Sequence, residues 1–82
     1  MDIEKNINKF FDLLDNFNEI GVGFVKNGDF KNAIKTYETK NAFIRLGYEY
    51  NIICIENATA MTKRNNELIR TLEFMFGVSE RS

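Results

Sequence analysis

Four features of this 82-residue chain have side chains or spacings able to do chemistry: one cysteine, a group of carboxylates, a glycine-rich stretch and a few neighbouring cations. Cys54 is a thiol without a base, because the chain has no histidine to take its proton, bind a metal or complete a triad. It lies in the apolar run "NIICIE", where it is expected to act as a small buried hydrophobe, and a lone cysteine forms no intramolecular disulfide. Asp12, Asp15 and Glu19 share part of one helix face, a spacing that suits a hard cation and equally describes any solvated helix. Paired carboxylates for glycoside chemistry need a deep cleft, more than so small a helical chain encloses. The stretch "GVGFVKNGDFKNAIKTY", Gly21 to Tyr37, places three glycines within eight residues. A dinucleotide site needs G-x-G-x-x-G between a strand and a helix, and Lys26 stands where the third glycine belongs. A phosphate loop needs Lys after its last glycine, whereas Asp29 follows Gly28 and repels phosphate. No catalytic, metal or cofactor role is expected from these residues, and an enzyme is not expected.

The elements that position them are helical. Ile3, Ile7, Phe10, Leu14, Phe17, Gly21 and Phe24 alternate steps of four and three, which predicts one amphipathic helix over 3–26. Asn27 and Gly28 supply a left-handed stop, and Asp29 is placed to cap a second helix over 29–46. That helix carries an inward stripe of Phe30, Ile34, Tyr37, Asn41 and Ile44, continued by Tyr48 and Ile55. A second stripe, Phe43, Leu46, Tyr50 and Ile53, makes the middle of the chain apolar on two faces, so it is expected to lie between two neighbours. Gly47 is a candidate interruption, giving a third helix over 48–58; "YEYNIICIE" also suits a strand by its β-branched and aromatic content, although no second strand offers itself for pairing. "NATAMT" at 57–62 is weakly helical and predicts a break, after which a last helix runs over 63–76 with Leu68, Ile69, Leu72, Met75 and Phe76 inward and Gly77 as its stop. The expected fold is all-α, a small bundle of three or four helices in one domain, 1–82.

"FNEIGVGFVKNGDFKNAIKTY" resembles one tetratricopeptide repeat over residues 17–37. Phe17, Ile20, Gly21, Phe24, Gly28, Asp29, Phe30, Ala33, Ile34 and Tyr37 hold the places of that pattern. The resemblance implies a helical hairpin in which small Gly21 and Ala33 let the helices approach while aromatics fill the wedge. It departs where Lys40 replaces the usual small residue, and a shift of 34 residues gives no second copy. A peptide groove in that family needs several stacked units, so the resemblance implies the hairpin's shape alone.

"FMFGVSERS" resembles the middle of a helix-turn-helix unit over about nine residues, implying a turn at Gly-Val-Ser; an ordinary helix end with a polar tail accounts for it equally. With Lys63, Arg64 and Arg70 as phosphate contacts, it supports an alternative reading as a DNA-associated transcriptional regulator. Glu67 and Glu73 offset those cations, so nucleic acid is not the expected partner.

Eleven basic and twelve acidic residues give a net charge of −1, with no bulk pull toward nucleic acid or anionic lipid. The charge is uneven. Residues 1–24 hold five acids against Lys5 and Lys9, and residues 25–45 hold five cations against Asp29 and Glu38, which predicts complementary flanks on neighbouring helices. No apolar run is long enough for a membrane span and the first residues are charged, so a cytoplasmic protein is expected. Eight Phe and three Tyr exceed what one small core requires. Phe43, Leu46, Tyr50, Ile53 and Phe74 are therefore the candidate partner or dimer interface, with internal packing between three helices as the alternative. The expected function is a non-enzymatic protein–protein interaction module, a small regulator or inhibitor of host or phage origin. It would form a homodimer and dock an apolar helix face on a protein whose identity the sequence withholds.

Overall fold

The computed structural model describes residues 3–81, with side chains from residue 4 to residue 80; Met1, Asp2 and Ser82 lie outside it. Three helices account for it: α1 (Ile3–Lys26), α2 (Phe30–Glu49) and α3 (Ile55–Arg81), with no strand among the described residues. α1 has the expected bounds. Gly28 adopts φ +73°, which costs glycine nothing. Two backbone bonds then close the helix in the Schellman pattern: Asp29 N–H donates to Phe24 O at 2.8 Å, and Gly28 N–H to Val25 O at 3.0 Å. Asp29 caps α2, one carboxylate oxygen accepting from the backbone N–H of Asn32 at 3.3 Å and the other from its side-chain amide at 2.7 Å.

The remaining boundaries differ from those expected. α2 does not stop at residue 46, and no separate helix spans 48–58; the break falls at residues 50–54. Asn51 supplies the left-handed residue there, at φ 60°, because its short polar side chain tolerates that conformation. Ile52 N–H to Gly47 O at 2.8 Å and Asn51 N–H to Tyr48 O at 3.0 Å repeat the Schellman closure. "YEYNIICIE" is thus the end of α2, a turn and the start of α3, and not a strand. Residues 57–62 lie inside α3 without a break, and α3 continues through Gly77 to Arg81. A glycine costs about 1 kcal/mol relative to alanine inside a helix, which 27 residues absorb. The turn implied by the helix-turn-helix resemblance is absent, since Gly77, Val78 and Ser79 are helical. Cys54 is exposed in the turn instead of buried, its carbonyl accepting from Ala58 N–H at 3.0 Å to open α3.

α2 is the middle helix: α1 and α3 each run antiparallel along it and make no backbone approach to one another. One cluster joins Phe10 and Leu14 of α1, Ile44 of α2, Ile53 of the turn and Ala58 of α3. A second joins Ala33 and Tyr37 of α2 to Leu72 of α3, with Phe24 and Ile69 against it. The small bundle is thin. Its Cα extents are 54 × 21 × 12 Å and its radius of gyration is 14.2 Å, against about 12 Å for a compact chain of this length. Its accessible surface, 6117 Å², exceeds by roughly 1,000 Å² the value of about 5,100 Å² that its mass predicts. An open three-helix layer leaves apolar side chains outside, because folded domains ordinarily bury both sides of a layer.

Two glycines fix the spacing of α1 and α2. A Cβ built at Gly21 would stand 2.5 Å from the Tyr37 ring, and one built at Gly47 would strike the Phe10 ring. The small residue that lets the helices close is therefore matched to Tyr37, and Ala33, expected opposite Gly21, packs with Tyr37 and Leu72. The Phe10 ring stacks on Phe43 with centroids 5.0 Å apart, and Phe17 reaches the same ring at 5.7 Å. Between the two charged flanks, the Lys40 ammonium of α2 donates to the neutral Asn18 Oδ1 of α1 at 2.7 Å. Burial pushes its pKa down and the Asp15 charge opposes that shift. Arg45 and Glu49 pair within α2 at 3.1 Å on an exposed face, where such a pair contributes little.

Candidate functional site

The five candidate interface residues divide between the inside and the outside. Ile53, 7% exposed, belongs to the core, and Phe43 is half-buried against Phe10 and Phe17. Leu46 is exposed on α2, Tyr50 stands at the end of α2 with 74% of its surface free, and Phe74 is 73% free on α3. Val78, one turn beyond Phe74, is also exposed. Lys63 and Arg70 face the space between α2 and α3 with Glu67 between them, and Arg64 does not line it.

That space is a groove of about 1080 Å³. Its floor is Ile44 and Ala58, and its apolar wall is Leu46, Tyr48 and Ile55. Its width comes from small side chains. Ala42 on α2 and Ala58, Thr59 and Thr62 on α3 line it, so above the Ile44–Ala58 contact the short side chains leave a hollow at the surface. These residues include the "NATAMT" segment, whose weak helical propensity was legible and whose smallness was the signal for a recess. Arg45, Lys63 and Arg70 put positive charge along the rim, with Glu49 and Glu67 interleaved.

The groove continues past Asn41 and Asn66 into a recess of about 390 Å³ lined by Ile34, Ile69, Glu38 and Glu73. Asn41 Nδ2 donates to Asn66 Oδ1 at 2.7 Å and bridges α2 to α3 where the two spaces meet. Behind it, Asn65 is 4% exposed and its Nδ2 donates to the Tyr37 carbonyl at 2.6 Å and to Asn41 Oδ1 at 2.9 Å. Asn65 Oδ1 has no partner. A buried amide with one orphaned acceptor costs stability, and it fixes how two helices align because few registers satisfy its donors. The long groove thus carries mixed charge along its rim, with Glu38 and Glu73 at the recess end.

No family model, curated protein or solved structure matches the chain. Among the described residues no group of three His, Cys, Asp or Glu side chains is placed to hold a metal ion, and no helix is long and apolar enough to cross a membrane. Cys54 does not line the groove. What the groove offers is shape, apolar surface and fixed charge, which are the requirements for receiving an amphipathic helix.

Proposed function

We propose that the protein is a non-enzymatic interaction module, a small regulator or inhibitor that takes a helix of another protein into the groove between α2 and α3. The observation that carries this reading is the apolar wall of Leu46, Tyr48 and Ile55, exposed beside a recess wide enough for side chains of a third helix. Roughly 1,000 Å² of surface beyond that of a compact chain supports it, since a standard interface takes about 800 Å² from each partner. The α1–α2 hairpin serves as a brace. Its Gly28–Asp29 turn and its Gly21–Tyr37 contact support reading it as a tetratricopeptide-like hairpin that holds α2 rigid.

The reading is tested by selecting helical peptides from a displayed library on the folded protein. Peptides that bind with micromolar affinity and lose binding to Leu46→Asp support it. A selection that yields no binder, or binders indifferent to Leu46→Asp, contradicts it.

A further inference from the structure

Resting on the groove reading, we propose that a second copy of this chain occupies the groove, with α3 of each copy antiparallel to α3 of the other. Phe74 and Val78 form an exposed apolar pair on α3, and Lys63 and Thr59 on the α3 side of the groove lie roughly 16 Å from Phe74 and roughly 29 Å from Val78 along the same helix. A two-fold axis between Glu67 and Arg70 therefore brings the pair of each copy onto the α3 wall of the other's groove, at Lys63 and Thr59. The charges select this register. With Glu67 opposite Arg70 of the second copy, two symmetric ion pairs form, Phe74 lies over the aliphatic stem and ammonium of Lys63, and Val78 meets Thr59. A slip of one helical turn instead sets Lys63 against Arg70 and repels.

The surplus of roughly 1,000 Å² per chain matches what a standard dimer takes from each partner. Self-association through this face also keeps the groove closed until a competing helix displaces the second copy.

Sedimentation equilibrium from micromolar to millimolar protein tests the proposal, with circular dichroism to verify folding. The wild type is a concentration-dependent dimer, and Phe74→Asp raises its dissociation constant roughly tenfold or more. Glu67→Arg and Arg70→Glu each weaken the dimer, and the double swap E67R/R70E restores it, because both symmetric pairs re-form with exchanged signs. A wild-type monomer at millimolar concentration overturns the proposal, as does a dimer indifferent to Phe74→Asp or a double swap weaker than either single variant. A monomer that still binds selected helices in a Leu46-dependent way overturns self-association alone and leaves the groove reading standing.

Discussion

The ring of Tyr37 occupies the space that any side chain at residue 21 would need, and Phe10 stands in the same relation to residue 47. The two contacts lie some ten residues apart along both helices, so α1 is pinned to α2 at two points. In each, an aromatic ring rests directly on helix backbone.

Gly21→Ala and Gly47→Ala are therefore expected to destabilise the protein. Alanine gains about 1 kcal/mol of helix propensity over glycine, but forcing a methyl into a packed ring costs about 1–3 kcal/mol. Tyr37 is buried and the Phe10 ring is stacked on Phe43, so neither ring has free space to turn into and the packing cost prevails. Gly23→Ala meets nothing within 4 Å and is expected to stabilise by up to about 1 kcal/mol. Urea midpoints of the three variants check the opposite signs.

At Asn65 the expected order of stability is Leu above or near Asn, and Asp far below. Leucine removes the orphaned oxygen and joins the apolar surroundings, although Asn41 Oδ1 and the Tyr37 carbonyl each lose a donor. Aspartate turns a donor toward two acceptors, Tyr37 O and Asn41 Oδ1, into a buried charge. A loss of about 2–5 kcal/mol is expected at neutral pH by chemical denaturation.

Burial raises the pKa of Tyr37 above its ordinary 10.0. The unfolded chain loses that proton first, so the stability contributed by the neutral phenol is intact below pH 10.0 and drains away as pH climbs through the raised value. Lys40 acts in the opposite sense. Its pKa is lowered from 10.5, so the penalty for burying its charge is present at neutral pH and is relieved as pH rises through the lowered value. Tyr37 and Lys40 therefore pull stability in opposite directions at high pH. Tyr37→Phe removes the Tyr37 share alone, so in urea titrations across pH 8–11 the variant is expected to gain stability relative to the wild type above pH 10.

The first hairpin was legible in the sequence because every signal in it is local: the four-three spacing of α1, the Asn27–Gly28 stop and the Asp29 cap. The second boundary was not. Gly47 reads as an interruption unless Phe10, thirty-seven positions earlier, is known to lie on it, and Asn51 ends α2 through a left-handed conformation that many asparagines never adopt. Gly77 likewise reads as a stop, but the helix it interrupts is long enough to carry it. Of the candidate site, Leu46, Tyr50 and Phe74 are outside while Phe43 and Ile53 pack inward, because a stripe on a helical projection does not reveal which flank a third helix covers. The groove is not legible in the sequence for a related reason. It is made by what Ala42, Ala58 and Thr59 lack, and its apolar wall joins residues from both sides of the turn at 50–54.

The central claim, that the space between α2 and α3 is a docking site, is tested most directly by methyl NMR of the labelled protein titrated with a selected helical peptide. Shifts centred on Ala42, Leu46, Ile55 and Ala58, joined by Val78 as the second copy is displaced, with Leu13 and Ile20 of α1 unchanged, are the predicted result. Shifts centred on α1, or spread over both core clusters without a focus on the groove, would contradict it.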